Sequence, residues 1–259
     1  MRLDSFVRQG RRILNQKRLR CWLAYLTLVR HGQATAFEKI TDRLSPLGET
    51  QATKLAQFWI RRQITFDEVY TGSLIRQKRT EELVSAEYNA AGGRWPRAQV
   101  LPELNEYEAD LVIRHLAPKL AAQDQEFRKL VESSGSEGPD RNRRFQRMFE
   151  ALMTRWVAGT LSTPEVEPWP AFRERVGRGL RRPTRGGQSG RRVVAFTSGG
   201  FIGAAVQIAL SAPDPSGLEV NWRVRNCSLT EFLFSGERLS LDTFNAIPHL
   251  EDPALRSFR

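Results

Sequence analysis

The residues best suited to chemistry lie in Leu28-Val29-Arg30-His31-Gly32-Gln33-Ala34, where an apolar stretch ends abruptly on an arginine, a histidine and a glycine. An imidazole can act as a nucleophile, a guanidinium grips phosphate through paired hydrogen bonds, and a glycine lets a ligand approach the backbone. That combination suits attack on a phosphorylated substrate. A lone histidine is more often structural, and with only His31, His115 and His249 in the chain a three-histidine metal site would need all of them. No metal or cofactor is therefore expected. His115, beside Arg114, reads as a surface residue.

Two further polar turns follow apolar runs. Thr71-Gly72-Ser73 opens a helix with Arg76 in its first turn, and Ser198-Gly199-Gly200 follows Val193-Val194-Ala195-Phe196. The amides at such helix starts, including that of Gly199, suit phosphate oxygens. Carboxylates for proton transfer come from Leu101-Pro102-Glu103 and Leu104-Asn105-Glu106, which share a Leu-x-Glu spacing. That spacing alone leaves both Glu106 and, as the alternative acid, Glu103 open. The ordinary reading of both, with Glu108 and Asp110, is an acidic helix start favoured by the macrodipole.

The elements that must position these residues alternate. Residues 25–29 read as a buried strand that stops at Arg30. Ser45 then caps a helix with Pro46 at its first position and Ala52, Leu55, Ala56 and Trp59 at helical spacing. Residues 66–70 form a second strand, and a third apolar segment ends at Val100 and Leu101. Residues 103–156 are mostly helical, broken by the Ser- and Gly-rich stretch 133–139, and 169–180 is another helix. The clearest buried strand spans 192–197 and leads into an apolar helix over 201–210. Residues 220–224, 229–234 and 239–244 read as further strands. Such alternation predicts an α/β fold: a doubly wound, mostly parallel central sheet with helices on both faces and a helical insert, its ligands bound beyond the carboxyl ends of the strands.

The 259 residues are 40% hydrophobic and 27% charged, enough for one sizeable core, with no apolar run long enough to span a bilayer. Residues 1–22 read as a basic extension and 23–259 as one domain. The net charge of +11 favours an anionic partner, whether a phosphorylated small molecule, a nucleic acid or a membrane surface, and charge alone does not choose among them; with the chemistry above, the expected partner is a phosphorylated small molecule or a phosphoprotein. The arginine-rich stretches lack the interleaved aromatics that stack on bases, so no specific nucleic acid is expected. Cys21 and Cys227 match no redox or metal spacing, which fits a reducing, cytoplasmic setting. The oligomeric state is left open.

Taken in order, these segments resemble the histidine phosphatase (phosphoglycerate mutase-like) superfamily. Arg30-His31-Gly32 resembles its first motif, and Thr71-Gly72-Ser73-Leu74-Ile75-Arg76 the segment in which an arginine one turn into a helix binds the phosphoryl group. Leu104-Asn105-Glu106-Tyr107 resembles the segment with the general acid, and Phe196-Thr197-Ser198-Gly199-Gly200 the second strand-end motif. Arg225-Asn226-Cys227-Ser228 and the segment from Phe244-Asn245 to His249-Leu250 extend the likeness from residue 25 to about 253.

The resemblance implies transfer of the phosphoryl group through a phosphohistidine on His31. Arg30, Arg76, Ser198 and Gly199 would hold the phosphate, and Glu106 would serve as acid and then base. The chain departs from the best-known members at Ser198, where they carry a second histidine. A serine donates a hydrogen bond without positive charge, and a Ser198→His variant is expected to be faster. His249 is a possible accessory donor. The same departure leaves a second expectation open, a weakly active or inactive binding or regulatory protein. A phosphoglycerate mutase is disfavoured, because Ala34-Thr35-Ala36-Phe37 follows Gln33 in place of the Ser and Asn that mutases use there.

Overall fold

Apolar runs that stop at polar turns become neighbouring strands of one sheet, and their ends come together. The structure, a computed structural model, describes residues 24–35, 42–135, 138, 140–186 and 189–258. The basic segment 1–22 lies outside the described residues, and so does Cys21.

Six strands, β1 (Ala24–Arg30), β2 (Glu68–Thr71), β3 (Gln99–Val100), β4 (Arg192–Thr197), β5 (Leu229–Ser235) and β6 (Arg238–Ala246), lie in the order β3-β2-β4-β1-β5-β6. The β3–β2, β2–β4 and β4–β1 pairs are parallel, while β5 runs antiparallel to β1 and β6 antiparallel to β5. Three of the five pairings are thus parallel, and a C-terminal hairpin completes the sheet. The register pairs Arg30 with Thr197 and Thr71 with Phe196. The turns that follow β1, β2 and β4 therefore open side by side at the carboxyl end of these parallel strands.

Among the described residues eight helices cover both faces: α1 (Pro46–Arg61), α2 (Ile75–Ala90), α3 (Ala109–Gln123), α4 (Gln125–Ser134), α5 (Arg141–Val157), α6 (Trp169–Thr184), α7 (Gly199–Ala209) and α8 (Asp214–Asn221). Because strand side chains alternate, Val29, Val69, Val194 and Phe196 pack on Leu55, Trp59, Val84 and Tyr88 of α1 and α2. Leu26, Leu28, Val193 and Ala195 point the other way, into a larger core with Leu116, Leu152, Phe172, Phe201 and Ile202. Helices α3 to α5 form the expected insert. Ser45 caps α1 by accepting from the Gly48 N–H, with Pro46 at the first turn.

One expected strand is absent. Val220 and Asn221 end helix α8, and residues 222–224 form the turn after it. Leu218, one helical turn before Trp222, is buried against the larger core. Helical packing there overrides the alternating Val220, Trp222, Val224 pattern. No helix of the described residues is long and apolar enough to cross a membrane.

Candidate active site

His31 stands at the end of β1 with its side chain 5% exposed. Its backbone N–H donates to the Thr197 carbonyl (2.9 Å), which ties the first polar turn to the end of β4. The ring is held at both nitrogens. Arg76 Nε donates to His31 Nε2 (3.1 Å), so Nε2 must be an acceptor, and Nδ1 carries the proton that it donates to the Gly32 carbonyl (2.7 Å). Burial holds the ring well below the ordinary histidine range, and the charges of Arg76 and Arg30 push it the same way. The imidazole is therefore neutral, with its Nε2 lone pair facing a guanidinium. Gly32 is required by a close approach, because a Cβ there would stand 2.4 Å from the Gly48 carbonyl oxygen. Thr80 braces this turn to α2, accepting from the Gly32 N–H (3.0 Å) while donating to the Arg76 carbonyl (2.7 Å).

Arg76 spans two partners. Besides His31, it meets Asp42, whose carboxylate accepts from Arg76 Nη1 (2.6 Å) and from the Ile75 N–H (2.8 Å) at the start of α2. An anion already sits where helix amides and a guanidinium converge, the arrangement that suits phosphate oxygens. The sequence reading did not single out Asp42.

Arg30 extends from the last residue of β1. Its Nη1 donates to the Val224 carbonyl, and a Cβ on Gly199 would lie 3.5 Å from its Cζ. The structure thus brings Arg30, Arg76, His31 and the Gly199 backbone to one region. Ser198 is fully buried, and its Oγ accepts from Gln77 Nε2 (2.8 Å), whose other hydrogen goes to the Leu104 carbonyl (3.1 Å). Gln77 is a second residue that sequence reasoning missed, although it adjoins Arg76.

The two candidate acids separate. Glu106 Oε2 accepts from the Gly200 N–H at the start of α7 (2.9 Å), its Oε1 accepts from the Tyr107 N–H (3.2 Å), and Glu106 lines a cavity together with Arg30. Gly200 makes this possible, since a Cβ there would be 2.1 Å from Glu106 Oε1. Glu103 lies elsewhere, its Cβ against Gly179 of α6. Asn105, between them, accepts from the Ser73 N–H (2.7 Å) and donates to Ser73 Oγ (2.7 Å), fastening this segment to the turn after β2.

His249 sits behind the site, with its ring 6.2 Å from that of Phe58 and close to the Cys227 backbone. The Cys227 N–H in turn donates to the carbonyls of Arg30 and His31. Burial pushes the Cys227 thiol up, so it stays protonated. Burial also pushes His249 down to about 4 from 6.5. The unfolded chain takes up a proton near 6.5 that the folded protein resists, so this contribution is full above pH 6.5 and is lost as pH falls toward 4. About 3 kcal/mol is at stake over that interval. Urea midpoints at pH 7 and pH 5 should differ more for the wild type than for His249→Phe. An equal drop in both would remove His249 from the account.

Among the described residues no group of three or more His, Cys, Asp or Glu side chains could hold a metal ion. Among curated proteins none matches the sequence. Solved structures share the fold at low identity. The alpha-ribazole phosphatase from Shigella flexneri is 18% identical with a TM-score of 0.57, over 86% of this chain and 96% of that one. A phosphoserine phosphatase mutant from Entamoeba histolytica, in complex with phosphoserine, is 17% identical with a TM-score of 0.56, over 88% and 99%. A phosphoglycerate mutase from Bacillus anthracis is 15% identical with a TM-score of 0.56, over 90% and 97%. The family model of the histidine phosphatase superfamily (branch 1) matches residues 26–158 and 132–247, a span that runs from β1 to the end of β6. By that match, on the fold these neighbours share, the chain belongs to the histidine phosphatase superfamily.

Proposed function

We propose that the protein is a phosphatase that hydrolyses a phosphomonoester, or a phosphohistidine, through a covalent phosphate on His31. The observation that carries this reading is the state of the ring: Nδ1 is committed to the Gly32 carbonyl, and the Nε2 lone pair faces the Arg76 guanidinium. An incoming phosphate draws that guanidinium onto its oxygens and exposes Nε2 to phosphorus, with Arg30 and the amide of Gly199 on the other oxygens. Nε2 then forms the N–P bond as the ester P–O bond breaks, and Glu106 gives its proton to the departing alkoxide. In the second step a water attacks phospho-His31, its proton goes to the Glu106 carboxylate, and inorganic phosphate leaves. No added metal is needed in this scheme.

Ser198 favours a second reading, a weakly active or inactive binding or regulatory protein. Replacing a charged donor by a neutral one weakens an oxyanion site by about 3 kcal/mol, roughly a hundred- to thousand-fold in rate. The Gln77 contact to Ser198 Oγ changes how this should be probed. An imidazole at 198 has to displace Gln77, so Ser198→His alone is expected to cost about 1–3 kcal/mol of stability and to bring no gain in rate. In the Gln77→Ala/Ser198→His double variant the room exists, and kcat should rise about 10-fold or more over the single variant. Equal rates in the two would mean that position 198 does not reach the phosphoryl group.

The direct test is to mix the protein with radiolabelled substrate and quench in alkali within one turnover. Phosphate that is stable to base and labile to acid should be trapped on the protein and be absent from His31→Ala. Turnover with no trapped phosphate under any quench would overturn the phosphohistidine route.

A further inference from the structure

The excess of positive charge has one concentration that the site around His31 does not use. Helix α6 carries Arg178, Arg181 and Arg182, and Arg185 is its C-cap, a spacing of i, i+3, i+4 and i+7 that puts all four on one face. Each of them is exposed, and together they line a cavity of about 810 Å³. The rest of its wall is Glu68, the first residue of β2, with Tyr70 and with Arg191, which immediately precedes β4. The cavity thus opens toward the amino ends of β2 and β4, whereas the catalytic turns follow their carboxyl ends.

These charges are not balanced within the protein. Earlier along α6 each arginine meets a carboxylate, Arg173 that of Asp214 (2.6 Å) and Arg175 that of Glu167 (2.7 Å). Arg178 keeps a loose contact to Glu174 (3.7 Å), and Arg181, Arg182 and Arg185 form no ion pair among the described residues. The carboxylate in the cavity wall is already engaged, since Glu68 Oε1 meets Arg191 Nε (3.0 Å) and Oε2 accepts from the Tyr70 hydroxyl (2.5 Å). Arg191 also donates to the carbonyls of Pro183, Arg185 and Gly186, which ties the end of α6 to the sheet and holds the arginine stripe in place. A helix dipole favours cations only over its last turn, and Arg178 stands before that turn. Like charges at i,i+3 and i,i+4 repel, so the stripe costs stability that an anion would restore.

From Arg178 to Arg185 the stripe extends about 10 Å along the helix axis, farther than one phosphate can bridge. A run of linked phosphoryl groups can span it and present acceptor oxygens to successive guanidiniums. No stacking face for a base accompanies them, because Tyr70, the only ring in the cavity wall, is 4% exposed. We infer that this cavity is a second anion site, separate from the one around His31, which binds a chain of three or more linked phosphoryl groups along Arg178, Arg181, Arg182 and Arg185. The site does not depend on the phosphatase reading.

The test is calorimetric titration of inorganic tripolyphosphate, with orthophosphate and hexaglutamate as comparisons, at physiological salt. The full-length chain carries His31→Ala throughout, so that no phosphoryl transfer at that position adds to the heat. Tripolyphosphate should bind this parent about 10-fold or more tightly than either comparison. Adding Arg181→Gln/Arg182→Gln/Arg185→Gln should lower that affinity about 10-fold or more. Adding Arg94→Gln/Arg97→Gln/Arg143→Gln, which removes the same charge from exposed positions elsewhere, should change it by no more than about threefold. Arg30 and Arg76 are kept in both, so the difference between them does not arise at the catalytic end. The single change Arg182→Glu repeats the test without three simultaneous substitutions, and should weaken tripolyphosphate about 5-fold or more. Equal losses in the two triple variants would reduce the effect to net charge and overturn the site. Unchanged affinity in the cavity variants would place the binding elsewhere and overturn it too, and tightest binding of hexaglutamate would give the stripe to an acidic peptide instead.

Discussion

Alanine at position 31 is expected to lower kcat/KM for an aryl phosphate, assayed without added metal, by about four orders of magnitude or more. In the proposed mechanism the variant loses the nitrogen that bonds to phosphorus, and residual rate would come from the arginines and helix amides acting on a water. Phosphate should bind His31→Ala at least as well as wild type, because Arg76 Nε loses an acceptor and is free for the anion. A collapsed site would instead lose both activity and binding. The pH profile gives a second readout. Attack requires neutral imidazole, and burial with Arg76 and Arg30 nearby holds His31 well below 6.5. Lowering pH through 6.5 should therefore not inactivate the wild type, and the acid limb belongs at distinctly lower pH. Equal rates for the two proteins would end the enzyme reading.

Much of this site could be read from the sequence because its main residues sit at strand ends, where the apolar pattern stops. The run before Arg30-His31-Gly32 and the run before Ser198-Gly199-Gly200 each mark a buried strand that hands over to a polar turn, and parallel pairing brings the two turns together. Arg76 was legible for the same reason, one turn into a helix after β2. Asp42 and Gln77 were not. Asp42 acts on a helix start 33 residues away, and Gln77 bonds a serine 121 residues away. Nothing local to either residue reports such contacts. The misread strand at 220–224 shows the limit of periodicity, because five residues of alternating pattern fit the last turn of a helix and the bend after it.

The equal spacing of Glu103 and Glu106 left the choice of acid open, and the three-dimensional arrangement makes that choice testable. Glu106 reaches the Gly200 amide and the cavity wall beside Arg30, whereas the Glu103 side chain packs against α6. Glu106→Gln is expected to lower kcat for an alkyl phosphate by about 10²- to 10⁴-fold, and Glu103→Gln to stay within about twofold of wild type. The amide keeps the size of the side chain and can still approach Gly200, so the loss reports on the proton. An activated ester sharpens the distinction between the two steps. p-Nitrophenolate leaves without being protonated, so Glu106→Gln should still form phospho-His31 quickly from p-nitrophenyl phosphate. The water that must then attack has lost its base, so one equivalent of nitrophenol should appear in a burst and phosphoenzyme should accumulate. A slow first turnover with no burst would place Glu106 in binding instead of proton transfer. A large loss in Glu103→Gln with Glu106→Gln unaffected would move the acid three residues upstream, and would require the segment between β3 and α3 to rotate before catalysis.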